Sequence, residues 1–215
     1  MEPEKTDLSV LDTLAPLTKS LTQQLAVPPD EELVARAREG DRRAFRLLVE
    51  RHEDDVAATV VAMLGPTGEV DDVVQEAFIR FYQTLDRFRG EAAVSTYLKR
   101  IAINRALDAL RRRKRFLGRF RSRDDETYPV PEPSIEEDGR VEARERARLV
   151  HQAIEALPPK HRAVVVLRMI EGYSTEETAE MLDIPYGTVL SRLSRAHAKL
   201  KELLQPFIEE RGNGE

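Results

Sequence analysis

The chain has 215 residues, with 34 Lys+Arg against 39 Asp+Glu, a net charge of −5, 41 % apolar residues and no cysteine. That length allows one domain or two small ones, and the apolar share excludes a wholly disordered chain. The absence of cysteine excludes disulfides, thiolate zinc sites, iron–sulfur clusters and cysteine nucleophiles. No apolar run approaches the roughly 20 residues of a membrane span, and the acidic, proline-broken start is not that of a signal peptide. A soluble, cytoplasmic protein without membrane contact of its own is expected.

Residues 1–29 read as a mobile N-terminal extension in which Leu14, Leu17, Leu21 and Leu25 fall along one side of a short helix after Pro16. From there the periodicity is helical nearly throughout, with no strand pattern of weight. Asp30 is placed to cap a helix over 31–39 that Gly40 ends. Asp41 is placed to cap a second one reaching Leu64, where Gly65-Pro66 stops it. Asp71 and Asp72 open a third, favourable at the positive end of its dipole. Its Val74, Ala77, Phe78, Phe81 and Leu85 make one apolar stripe. Ser95 or Thr96 is expected to cap a fourth helix reaching residues 111–115. Residues 116–140 then carry Pro129, Pro131 and Pro133 among acids, a linker composition. A second helical block spans 141–207, broken at Pro158-Pro159 and at Gly172, and residues 208–215 form a tail.

The net charge conceals a polarised chain. Residues 99–123 hold 11 basic residues and one acid, whereas 124–145 hold nine acids and two arginines. Residues 186–201 hold four bases and no acid, and residues 1–32 hold seven acids and two lysines. Two basic islands between acidic stretches point to a polyanionic partner.

The segment from Ser174 to Leu193 has the layout of a helix-turn-helix. Small Ala179 lies where two helices approach, a turn falls at Asp183-Ile184-Pro185, and a second helix begins near Tyr186 or Gly187. There Val189, Leu193, Ala196 and Leu200 form an inner stripe. Thr188, Arg192, Arg195 and Lys199 form a polar, basic one with the same spacing. With Ser191, that stripe suits a major groove, where arginine reads guanine or clamps phosphate. A solvated helix face is the plainer alternative. In the first block, Arg100, Asn104, Asp108 and Arg111 share a polar face. Phe88, Arg89, Gly90 and Tyr97 bracket the loop before it. Rings beside cations suit a splayed single strand, while Phe78, Phe81 and Phe88 equally suit a core. An ordinary helix-turn-helix repressor would leave the first block idle. A helical adaptor would lack salt-dependent DNA affinity. For an enzyme, consecutive His52-Glu53-Asp54-Asp55 point in different directions on a helix, and no phosphate loop, nucleophile elbow or zinc-protease motif appears.

Residues 71–78 (DDVVQEAF), 85–91 (LDRFRGE), 95–108 (STYLKRIAINRALD), 157–162 (LPPKHR) and 187–196 (GTVLSRLSRA) resemble, in order and separation, bacterial sigma factors of the extracytoplasmic-function (ECF) group. The resemblance covers about residues 31–115 and 141–205. It implies an all-α fold of two small helical domains on a flexible acidic linker. These are a region 2 bundle over 30–115 and a region 4 helix-turn-helix over 141–207. It implies a dissociable RNA polymerase subunit with no catalytic residue, cofactor or metal, restrained by an anti-sigma factor. Asp71, Asp72, Gln75, Glu76, Ile79, Arg80 and Gln83 would dock on the clamp helices of core RNA polymerase. Arg87, Phe88, Arg89, Gly90, Ser95, Thr96, Tyr97, Lys99, Arg100, Asn104, Arg105, Arg111 and Arg112 would read and melt the downstream (−10) element, with a base flipped into the 86–96 loop. Ser174, Thr175, Tyr186, Gly187, Thr188, Ser191, Arg192, Arg195 and Lys199 would hold the double-stranded upstream (−35) element, and the same block would touch the polymerase flap. The linker would lie in the RNA-exit path, its acidity mimicking nucleic acid. The sequence departs from the family's pattern at Tyr97, where tryptophan is usual, and at Leu190 and His197, where basic residues are common. Thr178 stands where isoleucine is frequent.

Overall fold

The computed structural model describes the backbone of residues 28–119 and 140–212 and the side chains of 28–116 and 145–205. The leucine pattern of the N-terminal extension, the linker prolines and acids, and residues 213–215 lie outside the described residues. In chain order the helices are α1 (Asp30–Arg38), α2 (Arg42–Leu64), α3 (Glu69–Thr84) and α4 (Val94–Arg119), then α5 (Arg140–Glu155), α6 (Pro159–Val165), α7 (Thr175–Leu182) and α8 (Tyr186–Gly212). A 3₁₀ turn, Leu85–Arg87, follows α3, and α6 runs on as a π turn, Val166–Ile170. No strand occurs among the described residues. The chain falls into two compact units, one ending at Leu48 and one beginning at Val49.

In the first unit the corner between α1 and α2 is set by local chemistry. Asp30 is the first helical residue rather than the cap, since Pro29 precedes it without a capping side chain. Gly40 takes φ +93°, the left-handed conformation that glycine adopts without strain. Asp41 then caps α2: its Oδ1 accepts from the backbone N–H of Arg43 at 2.9 Å and of Ala44 at 3.1 Å. Its Oδ2 pairs with Arg36 at 2.8 Å. The Arg36 hydrogen bond and these N–H groups hold the Asp41 carboxyl below its ordinary value.

In the second unit α3 packs along α4. Val70, Val73, Val74, Ala77, Phe78 and Phe81 are the buried stripe of α3, and Leu98, Ala102, Ile103 and Ala106 are buried on α4. Full burial of such a side chain contributes about 1.5–3 kcal/mol, so this stripe rather than helix propensity fixes the pair. Besides that of α1, two starts in this unit differ from the sequence reading. Helix α3 begins at Glu69, which leaves Asp71 and Asp72 inside its first turn. Helix α4 begins at Val94, because Val94 is buried and the Tyr97 N–H already bonds the Ala93 carbonyl at 3.1 Å. Ser95 and Thr96 are therefore first-turn residues, not caps.

The helix-turn-helix half has its own core of Ile154, Leu157, Val165 and Ala196, flanked by Leu193 and Leu200. Ser174 and Glu177 close α7 with a capping box. Ser174 Oγ accepts from the Glu177 N–H at 3.1 Å, and Glu177 accepts from the Ser174 N–H at 2.7 Å. Asp183 ends α7 with φ +51°, and the Ile184 N–H returns to the Ala179 carbonyl at 3.0 Å, the tight turn that starts α8.

Candidate nucleic-acid interface

The downstream set gathers where the 3₁₀ turn hands over to α4. Phe81, Phe88 and Tyr97 form an aromatic trio, with centroids 5.9 Å apart for Phe81–Phe88, 5.9 Å for Phe81–Tyr97 and 5.0 Å for Phe88–Tyr97. Phe81 and Phe88 are buried and Tyr97 is half-buried, so Phe88 takes the core alternative and supports Tyr97 from below. The Tyr97 hydroxyl donates to Thr84 Oγ1 at 3.3 Å, fixing the ring at the surface. Gly90, at φ +73°, turns the loop. Arg87, Arg89 and Gly90 are exposed there, and Arg89 pairs with the equally exposed Glu91 at 3.8 Å. Ser95 and Thr96 are half-buried. Along α4, Arg100, Arg111 and Arg112 are exposed, and Asn104 donates to the Arg100 carbonyl at 3.0 Å. Arg105 is committed to Glu76 at 3.3 Å and Asp108 at 3.0 Å, and Arg111 shares Asp108 at 2.8 Å. Lys99 is the cation of this set drawn furthest from solvent. Its side chain is 12 % exposed and its Nζ lies 2.5 Å from Glu171.

The upstream set lies on α8. Ser191 and Arg195 are exposed, and Thr188, Arg192 and Lys199 are half-buried, while Val189 and Ala196 on the opposite side are fully buried. Lys199 also pairs with Glu202 at 2.7 Å. Tyr186 and Leu190 are large exposed apolar residues on the leading turns of this helix, and Gly187 between them is exposed. Ser174 and Thr175 are spent structurally, Ser174 in the capping box and Thr175 in a buried position. His161 lies near this cationic face. Burial, with Arg195 and Arg192, pushes its imidazole below the ordinary histidine value.

On α3, Asp71, Asp72, Gln75, Ile79, Arg80 and Gln83 are exposed, and Glu76 is held by Arg105. Ile79 is joined by Tyr82 as a second exposed apolar residue of this helix. Tyr82 escaped the sequence reading because a lone tyrosine off the apolar stripe carries no periodic signal.

Residues from both halves of the second unit meet in a seam. Helix α4 packs against α6 and α7. The buried Arg162 guanidinium donates to the Met63 carbonyl at 2.5 Å, to the Leu157 carbonyl at 3.3 Å and to the Glu155 carbonyl. Gly65, at φ +77°, holds a backbone conformation that other residues rarely adopt, and a Cβ there would lie 2.6 Å from the Glu155 carboxylate, which would have to shift. Glu171 meets Lys99, and the Tyr173 hydroxyl reaches Thr96 Oγ1 at 3.5 Å. The sequence carried Arg162 only as part of a motif and gave no sign of Glu171, whose partners lie 72 and 112 residues away.

A ring-backed cationic loop on one helix pair and a basic helix-turn-helix on another define a two-part, all-α DNA-binding protein. The family model Sigma-70 region 2 matches residues 48–116, and Sigma-70, region 4 matches residues 147–200. The ECF RNA polymerase sigma-E factor of Escherichia coli (strain K12) is 38 % identical over 189 residues, 83 % of this chain and 96 % of that protein. The RNA polymerase sigma-H factor of Pseudomonas aeruginosa is 38 % identical over 191 residues, 84 % of this chain and 96 % of that one. Among solved structures, CnrH in complex with the cytosolic domain of CnrY is 32 % identical, with TM-score 0.56, and covers 82 % of this chain and 97 % of its own. The sigma factor RpoE of Bartonella quintana, in complex with the anti-sigma factor NepR, shares the fold at 20 % identity and TM-score 0.59, over 75 % of this chain and 96 % of its own. The chain belongs to the ECF RNA polymerase sigma factors. It acts in transcription initiation, and no helix among the described residues is long and apolar enough to cross a membrane.

Proposed function

We propose that this sigma factor works in the cytoplasm as a non-catalytic specificity subunit whose two blocks divide promoter reading between them. In this reading the exposed face of α3, with Asp71, Asp72, Gln75, Ile79, Arg80 and Gln83, docks on the clamp helices of core RNA polymerase. Arg87, Arg89, Tyr97, Arg100 and Asn104 engage the −10 element, with Tyr97 stacking on an unpaired base. Thr188, Ser191, Arg192 and Arg195 engage the −35 element in the major groove. Residues 30–115 and 141–207 are the two working domains, with the acidic linker threading the polymerase between them. An anti-sigma factor is the regulatory partner, a reading supported by the sigma factor RpoE of Bartonella quintana, seen with the anti-sigma factor NepR. The observation that carries the proposal is the cationic face of α8, where Arg195 is exposed and Arg192 and Lys199 half-buried while the opposite face is buried, on the same chain as the ring-backed cationic loop before α4.

The test mixes the chain with core RNA polymerase and genomic fragments and maps transcript starts. New starts sharing two spaced elements are expected. No new starts, together with no binding to core, would overturn the reading.

A further inference from the structure

Lys99 sits among the cations assigned to the downstream element, yet it faces the other half of the molecule. Its Nζ lies 2.5 Å from Glu171 Oε2 and 3.6 Å from Asp55. Glu171 is itself only 10 % exposed, and its second oxygen accepts from Thr59 Oγ1 at 2.6 Å. One carboxylate from the helix-turn-helix half thus holds two groups of the half that reads the downstream element. Glu171 follows directly on the π turn, and its N–H bonds the Val166 carbonyl at 2.9 Å. Such turns are rare and concentrate at functional positions. A lysine ammonium engaged by a charged oxygen at short range is also the contact that lysine makes with phosphate. Burial pulls the Lys99 ammonium down, and the hydrogen bond and charge of Glu171, with Asp55, outweigh it and leave it above the ordinary lysine value.

The seam is incompatible with engaging both elements at once. The −10 and −35 elements lie about 25 base pairs apart, roughly 85 Å at about 3.4 Å per pair. Their two readers here touch through Lys99–Glu171 and Thr96–Tyr173. We propose that Glu171 stands at Lys99 in the place of a promoter phosphate and holds the polymerase-free chain closed, so that Glu171 must leave before Lys99 can bind DNA. This internal polyanion mimic rests on the reading of α4 as the downstream-element helix.

The absence of cysteine allows a dye pair to be placed specifically at Asp54→Cys and Glu176→Cys, both exposed positions. Energy transfer reads the separation of the two halves in the full chain without polymerase. Binding to a mixed-sequence single-stranded DNA of about 20 nucleotides reads access to Lys99, since a phosphate contact is indifferent to sequence. Glu171→Gln is expected to increase the separation and tighten DNA binding about tenfold, by raising the competent fraction. Adding Lys99→Gln should abolish the gain in affinity but not the opening. Thr59→Val, which removes one hydrogen bond to Glu171, should act in the same direction more weakly, and it carries the test if circular dichroism shows Glu171→Gln to be misfolded. Unchanged separation, or opening without tighter binding, would overturn the proposal. Failure of the promoter reading would appear elsewhere, as the absence of start sites with the wild-type holoenzyme.

Discussion

Arg162 and Thr178 show two outcomes for a buried polar side chain. Arg162 satisfies three backbone carbonyls, although its Nε has no partner among the described residues. Burial disfavours its charge, with Arg113 adding to the effect against the opposing pull of Glu155, so those carbonyls are what keep it inside. Thr178 is fully buried with its hydroxyl unpartnered among the described residues. A hydroxyl in that state costs about 1–3 kcal/mol of desolvation. Thr178→Val keeps the shape and removes the hydroxyl. We expect it to raise stability by about 1 kcal/mol, read as a higher urea midpoint at unchanged slope; a lower midpoint would mean that the hydroxyl has a partner in solution.

At the scale of elements, caps and ends decide where helices begin. The Asp41 carboxylate stabilises the α1–α2 corner through Arg36 and the Arg43 and Ala44 N–H groups. Its folded value lies below the ordinary one, so its contribution is complete above the unfolded aspartate pKa. It is lost as pH falls through the folded value. Asp41→Asn keeps a capping oxygen and loses the charge pair. Its denaturation midpoint should therefore fall less steeply than wild type between about pH 5 and pH 2. Parallel curves would show that the pair adds nothing. This corner was legible because Gly40 and Asp41 act within a few residues. The start of α4 was not: the buried Val94 draws the helix back past Ser95 and Thr96, and that burial is a tertiary fact.

For the whole molecule, the proposed division of promoter reading makes the grip a sum of two tethered contacts, each raising the effective concentration of the other. A bidentate arginine–base contact contributes about 1–3 kcal/mol. Arg192→Ala should accordingly weaken holoenzyme binding by that amount on promoters with the native upstream element, and by much less where that element is scrambled. An equal loss on both, measured by competition at fixed salt, would leave Arg192 with a phosphate contact alone.

The sequence by itself determined the helical class, the two basic islands, the helix-turn-helix and the family resemblance, because helical period, caps and charge runs are local and add along the chain. Only the tertiary structure decided which candidates are available to a ligand. Phe88 went into the core beneath Tyr97, Thr175 was buried, Ser174 became a cap, and Arg105 was taken by Glu76 and Asp108. Lys99 met Glu171 across 72 residues of chain. Burial and long-range pairing depend on which surfaces meet, and no periodicity in a single strand of sequence encodes that.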